Sequence, residues 1–244
     1  MWLFYDAVHS LHRYLNPISD EGVDELETIL ALQPGTRMLD VGSGKGEMLL
    51  RFAERYEISG VGVDKSPFFL RRAREAMEER VPGADVQFVE GDGKEYRAEE
   101  RFDVSMCVGA SWIWDGFRGT LEALAGCTKP GGLIVSAEPY WRKEPAPEYL
   151  EMSGMKREPF FTLAGCWDIV KELGLKAVWM RGSSEQEWDR YEMLQMASLD
   201  RFAREEPGHS DLEEIRSRKR KDTEVYLRWG REELGFALWV FRKA

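Results

Sequence analysis

The chain has 244 residues, 43% of them hydrophobic and 12% aromatic, enough to bury the core of one large α/β domain, residues 1–244. A net charge of −10 counts against a nucleic-acid substrate, whose phosphates are met by basic surfaces. No apolar run reaches the ~20 residues of a membrane span, and the three cysteines are widely spaced with no CxxC. A disulfide framework and a zinc site are therefore not expected, and a reducing cytoplasm is.

The opening stretch, MWLFYDAVHSLHRYLNP, is apolar but interrupted by Asp6, His9, His12 and Arg13. It has neither a basic n-region nor a small-residue cleavage site, so it does not read as a signal peptide. Residues 1–33 read as mostly helical, with Val23, Leu26, Ile29 and Leu30 on one face. From Arg37 strand and helix alternate. RMLDV is a short apolar strand, and Leu49, Phe52, Ala53 and Tyr56 mark the helix after it. ISGVGVD is a buried strand. SPFFLRRAREAMEER opens with Ser66 as N-cap and Pro67 at the first helical position. DVQFVEGD and RFDVSMCVGAS are the third and fourth strands. Phe117, Leu121, Leu124 and Ala125 mark the next helix, and TKPGG is expected to turn into the strand LIVSAEPYW. A helix with Leu163, Cys166, Trp167 and Val170 leads to LKAVWMRGS, and LGFALWVFRKA closes the chain.

That alternation implies a parallel sheet with helices on both faces, and ligands in such sheets sit beyond the carboxyl ends of the strands. Three stretches break the rhythm: 1–33, 141–160 and 185–232. All are placed where they could cover a ligand crevice. In the last, Trp188, Tyr191, Leu194, Gln195, Leu199 and Phe202 form a stripe that reads as core, and Leu212, Ile215, Tyr226 and Trp229 a less regular one. The basic run RSRKRK, 216–221, reads as a solvated helix face, with an anion or partner contact as the alternative.

The chemistry concentrates in MLDVGSGKGE. Gly42, Gly44 and Gly46 follow the first strand directly, where bare backbone permits a tight turn and close approach to a ligand. A dinucleotide fingerprint would want glycine at 47, which is Glu. Asp64 ends the second strand, where a carboxylate can take both hydroxyls of a ribose. Asp92 follows the third, placed for an adenine amino group, and Asp40 precedes the glycines, placed for an ammonium. Three carboxylates suit a ligand that carries adenosine and positive charge better than one with a pyrophosphate.

LDVGSGKG, GVGVDKS, VEGDG, FDVSMCVGAS and KPGGLIVSAEPYW together resemble successive motifs of the class I S-adenosylmethionine-dependent methyltransferases, over roughly residues 13–182 plus the final strand. HRYLNPIS, GASWIW and EPYW resemble the small-molecule enzymes of the type-11 group. The resemblance implies an α/β, Rossmann-like, seven-stranded, mostly parallel sheet whose last strand, LGFALWVF, is antiparallel, with the helical insertions forming a cover. It also implies S-adenosylmethionine as cofactor, S-adenosylhomocysteine as product, and methyl transfer to an O, N or S atom of a small molecule. Neither nucleic acid nor membrane is an expected partner, and a monomer or homodimer is the expected state. The NPPY signature of amino-methylating nucleic-acid enzymes does not occur. No Asp/Asn set like the magnesium site of catechol-type enzymes stands out, so no metal is expected.

On this resemblance the cofactor residues are Asp40, Gly42, Ser43, Gly44, Gly46, Asp64, Lys65, Gly91, Asp92, Gly93, Gly109, Ala110 and Ser111. The acceptor residues are Tyr14, Asn16, Trp112 and Tyr140. An acceptor that must lose a proton needs a base, and His12 and Glu138 are the candidates. Two other readings stay open: a binder that senses the cofactor or its product without turnover, and a nicotinamide-dependent oxidoreductase, which Glu47 and Asp92 disfavour.

Overall fold

The computed structural model describes residues 2–244, Trp2 through its backbone alone; Met1, part of the expected cover, lies outside the described residues. The sheet has seven strands: β1 (Arg37–Val41), β2 (Ser59–Asp64), β3 (Val86–Glu90), β4 (Phe102–Val108), β5 (Thr128–Trp141), β6 (Lys176–Gly182) and β7 (Leu234–Arg242). They lie in the order β3-β2-β1-β4-β5-β7-β6. The first five pair in parallel, and β7 runs antiparallel between β5 and β6, as the sequence led one to expect.

Successive residues on these strands feed opposite faces. Met38, Met106, Val135 and Val240 join a core with Leu26, Leu49 and Phe52 on one side. Leu39, Cys107, Ile134 and Phe241 join a second with Leu121, Leu124 and Val170 on the other. Both faces are thus covered, by helices that include α2 (Asp20–Leu30), α3 (Glu47–Tyr56), α4 (Pro67–Arg80), α5 (Phe117–Cys127) and α7 (Leu163–Glu172). The strands accordingly read as near-continuous apolar runs. Ser66 caps α4 by accepting from Phe69 N, with Pro67 in the first turn. Strand order reverses between β1 and β4, so the crevice opens there.

One expectation needs correcting. TKPGG is the first part of β5 rather than a separate turn: Thr128 pairs with Phe102, the register shifts, and pairing resumes at Leu133 opposite Val104. Gly131, at φ +73°, takes up the irregularity while its N–H donates to Lys243 O at 3.0 Å. Sheet hydrogen bonding holds residues that local chemistry alone would place in a turn.

The remaining helices belong to the insertions. α1 (Trp2–Val8) buries Phe4 and Val8 against Leu199 and Ala203 of α8 (Glu185–Glu205) and Leu212 and Ile215 of α9 (Leu212–Val225). After α9 the helix passes through one π-helical turn, Tyr226–Gly230, and the short α10 (Arg231–Glu233). Leu212 and Ile215, at the start of α9, face α1, whereas Val225 and Tyr226, about three turns on, enter the main core. α6 (Pro147–Ser153) sits beside these helices, with Tyr149 stacked on Trp229, ring centroids 6.2 Å apart.

Part of the basic run is engaged within the fold, while Arg220 and Lys221 are exposed on the helix face. Lys219 is buried and donates to Glu192 Oε2 at 2.7 Å and Gln195 Oε1 at 2.8 Å. The Arg218 guanidinium lies 3.8 Å from the ring centroid of Phe4, and Arg216 pairs with Glu213. These contacts join α9 to α8 and α1.

Candidate functional site

A cavity of about 540 Å³ lies at the carboxyl ends of β1, β2 and β4. Its floor is the glycine loop between β1 and α3. Gly42, Gly44 and Gly46 have φ of +76°, +54° and +74°, a region L side chains rarely enter. Space is as restrictive as conformation: a Cβ on Gly42 would overlap Ala110, and one on Gly46 would overlap the Phe88 ring.

Asp64 holds the loop in shape. Its Oδ2 accepts from Gly44 N and its Oδ1 from Ser66 N, each at 2.8 Å, and burial raises its pKa. Asp40 faces the same cavity, almost fully buried, with Oδ1 lacking any partner. Burial and the neighbouring Asp64 push its carboxyl up to about 8. Ser43 Oγ beside it is also buried without a partner. Unpartnered buried polar atoms are rare in folded chains, and at a cavity wall they are positions where a ligand can supply the missing hydrogen bond.

The N-terminal segment closes the cavity from above. Leu15 lies over the glycine loop, its Cδ1 2.7 Å from where a Gly44 Cβ would stand. Asn16 Nδ2 donates to Val108 O at 3.0 Å, which sets its amide against Gly109. Lys45 Nζ donates to two carbonyls of this segment, His9 O at 2.6 Å and His12 O at 3.1 Å. Burial brings the Lys45 amine down to about 8. Trp188 and Tyr191 of α8, with Pro139 and Phe236, complete an aromatic and apolar wall. Among the described residues none from 141–160 lines the cavity, so that insertion supports the cover through Tyr149 and Trp229 rather than forming it.

The residues singled out in the sequence divide as follows. Asp40, Gly42, Ser43, Gly44, Asp64, Lys65, Gly91, Gly93, Gly109 and Ala110 all line the cavity, and Gly46 ends the loop as the residue before α3. Asp92 does not line it. Its carboxylate accepts from Lys65 Nζ at 2.7 Å and Lys94 N at 2.9 Å, contacts that hold it below the usual carboxylate range. Ser111 is turned into the protein, its carbonyl accepting from Gly116 N at 2.9 Å. Tyr14, Asn16 and Trp112 line the cavity. The Tyr14 hydroxyl is engaged, donating to Asp20 Oδ1 at 2.9 Å and accepting from Arg51 Nη1 at 2.8 Å.

Tyr140, Glu138 and His12 do not line the cavity. Pro139 faces the cavity, so its neighbours in β5 point to the other face of the sheet. Tyr140 packs there on Gly235, and Glu138 is buried, its carboxyl pushed up to about 8 by burial against a lesser, lowering contribution from the Ser111 side chain. His12 Nε2 donates to Tyr191 O at 2.8 Å, and its ring is not among the groups lining the cavity. Neither candidate base is among the residues that line the cavity. The imidazole that does face the cavity is His9. Trp188 and Tyr191 carried the helical spacing expected of core, and their spacing alone held no sign that one side would meet a cavity.

Among the described residues no group of three or more His, Cys, Asp or Glu could hold a metal ion, and no helix is long and apolar enough to cross a membrane.

A family model described as a methyltransferase domain matches residues 38–132. The uncharacterized protein YjhP of Escherichia coli (strain K12) is 37% identical over 233 residues, which span 95% of this chain and 94% of YjhP. The X-ray structure of YjhP superposes with a TM-score of 0.91 over 99% of each chain at 35% identity. A SAM-dependent methyltransferase from Geobacter sulfurreducens, crystallised with S-adenosyl-L-homocysteine, superposes at 0.92 with 33% identity, over 99% of this chain and 98% of its own. One from Thiobacillus denitrificans, in complex with the same molecule, gives 0.90 and 33% over 98% of each chain. The chain belongs to the S-adenosylmethionine-dependent methyltransferases, as its motifs led one to expect. The resemblance extends beyond the motifs to the cover, since the relatives match nearly end to end.

Proposed function

We propose that this chain binds S-adenosylmethionine in the cavity above the glycine loop and transfers its methyl group to an O, N or S atom of a small molecule. The observation that carries this reading is the pairing of two buried, unpartnered oxygens, Asp40 Oδ1 and Ser43 Oγ, with the close-approach backbone of Gly42–Gly46. A ligand with an ammonium and a ribose fits that set: the ammonium against Asp40, the ribose hydroxyls on Asp64, the chain between them along the loop. Gly91 and Gly93 would flank the base, with Lys65 tying the Asp92 turn alongside. Gly109 and Ala110 would underlie the reacting methyl.

When bound, the cofactor supplies a sulfonium-borne methyl, already activated because the leaving group departs as a neutral thioether. The S–C bond breaks as the bond from carbon to the acceptor atom forms. The protein's own part is to hold the acceptor in line and exclude water, work for which a closed apolar cavity is suited. Leu15 and Asn16 seal the loop and the end of β4, and Trp188, Phe236 and Pro139 keep the acceptor side dry. The cover argues for a small acceptor over a polymer. So does the basic run 216–221, whose Arg216, Arg218 and Lys219 are engaged internally. The three cysteines are free, as suits an enzyme of the reducing cytoplasm.

Calorimetric titration with S-adenosylmethionine and S-adenosylhomocysteine tests the cofactor assignment, with micromolar affinity expected. Release of S-adenosylhomocysteine across a panel of small acceptors then separates an enzyme from a sensor. Binding with no turnover on any acceptor favours the sensor; no binding at all ends both readings.

A further inference from the structure

We infer that Tyr191 orients the methyl acceptor by accepting a hydrogen bond from it, and that the acceptor is an uncharged, predominantly apolar molecule offering an N–H. This rests on the methyltransferase reading above and assigns the other half of its cavity.

The polarity of Tyr191 follows from a chain of three groups. His9 Nδ1 lies 3.0 Å from the carbonyl of Tyr5, and a carbonyl can only accept, so the proton is on Nδ1. Burial, with His12, Lys45 and Lys219 nearby, lowers the imidazole to about 3, so the ring is neutral and Nε2 is bare. The partner of Nε2 at 3.1 Å is the Tyr191 hydroxyl, which must therefore donate. Tyrosine has one hydroxyl proton. With that proton directed to His9, only lone pairs remain for a ligand.

Neighbouring rings hold the arrangement. His9 stacks on Tyr5 and meets the edge of His12, with centroids 6.1 and 4.9 Å away. Tyr191 meets Trp188 edge-on at 6.1 Å, and His12 Nε2 donates to the Tyr191 carbonyl. Burial raises the Tyr191 phenol, so it stays neutral and works as a fixed acceptor rather than a base.

The charge of the acceptor follows from how the cavity's ions are engaged. Arg13 pairs with Glu47 and Asp20, Lys65 with Asp92, Lys45 with two carbonyls, and Glu47 also with Arg80. Asp40 and Asp64 lie at the loop, on the cofactor side. The acceptor side is walled by Trp188, Phe236, Pro139 and Trp112 and presents no unengaged ion among the described residues. A charged molecule would lose its hydration there without a counter-ion. An uncharged amine that gives one hydrogen to Tyr191 keeps its lone pair free to meet the methyl; the positive charge passes from the sulfonium to the methylated nitrogen, and the proton is lost to water once the product leaves.

Two measurements on the full chain test this. In protein labelled with ¹⁵N-histidine, with His9→Gln to assign the ring, His9 should show a protonated Nδ1 and a bare Nε2 at pH 7. Phenol and anisole, the same ring with and without a donor, should bind the S-adenosylhomocysteine complex with phenol favoured by about fivefold, one ordinary hydrogen bond. Tyr191→Phe should erase that preference while cofactor affinity holds, and His9→Phe should shift it toward anisole by freeing the tyrosine proton. A protonated Nε2 on His9, equal binding or none of either probe, or a preference surviving Tyr191→Phe overturns the proposal. Cofactor affinity is measured first in the same samples: its absence counts against the methyltransferase reading, whereas its presence with no probe preference counts against Tyr191 alone.

Discussion

Lys45 Nζ donates to the carbonyl of His9 across 2.6 Å, so a residue of the glycine loop also holds the segment that covers it. Loop and cover are therefore coupled, and disturbing either should be felt by the other.

Lys45→Met removes both carbonyl contacts while keeping most of the apolar stem. Hydrogen bonds from charged groups contribute about 1.5–3 kcal/mol when buried, and partial exposure places Lys45 at the low end. Backbone exchange over residues 2–18 should quicken about tenfold, and cofactor should dissociate faster. Unchanged exchange would separate the cover from the loop.

Gly44→Val should abolish cofactor binding. A valine at φ +54° is strained, and its Cβ would stand 2.7 Å from Leu15 Cδ1 even before its methyls are placed. Asp64→Ala strands Gly44 N and Ser66 N as well as the ribose hydroxyls, so affinity should fall by about 1–3 kcal/mol. Calorimetry showing parental affinity in both variants would remove the site assignment.

Cofactor binding should release a proton near neutral pH. Asp40 is held at about 8 against a usual 3.8, so at pH 7 it is mostly protonated. An ammonium beside it favours the carboxylate. Calorimetry in buffers of different ionisation enthalpy should show release of up to about one proton at pH 7, fading above pH 9 as Asp40 ionises unaided. Asp40→Asn should abolish the release. Without ligand the same shift makes the chain less stable as pH rises from about 4 to about 8, because the unfolded chain ionises this group first.

Acid should open the cover. His9 is held at about 3 and His12 at about 4 against 6.5 in an exposed chain, burial being the largest cause for each. Between about pH 6.5 and pH 4 the opened segment binds protons that the closed one refuses. Each unit of acidification then favours opening by up to about 1.4 kcal/mol per histidine. Limited proteolysis at Arg13 should accelerate from pH 7 to pH 5, with the tightly packed β1 and β4 unaffected. His9→Gln with His12→Gln should flatten this dependence. A parent chain equally resistant at both pH values would count against histidine control.

Much of the fold was legible because it rests on local pattern. The run Met38–Leu39–Asp40–Val41, the capped start at Ser66 and Pro67, and the apolar final strand are each encoded within a few residues. The glycine spacing at 42, 44 and 46 and the acids Asp40 and Asp64 marked one wall of the cavity for the same reason: backbone freedom and strand ends are local properties. The partners of α9 were not legible, because its first turn packs on α1 while its last turn packs on the main core, a division set by how the helix docks.

The sequence by itself determined the class of protein, the sheet, and the bare glycine loop that follows its first strand. The tertiary structure decided which side chains face the cavity. Alternation along β5 puts Glu138 and Tyr140 on one face and Pro139 on the other, but only the docking of the cover says which face meets the cavity. Asp92 stands at a strand end as expected, yet Lys65, twenty-seven residues away, engages its carboxylate. His9 and Tyr191 are 182 residues apart, and their hydrogen bond exists because α1 and α8 pack together. Side-chain direction, partner and protonation are set by contacts between distant segments, which no spacing within one segment records.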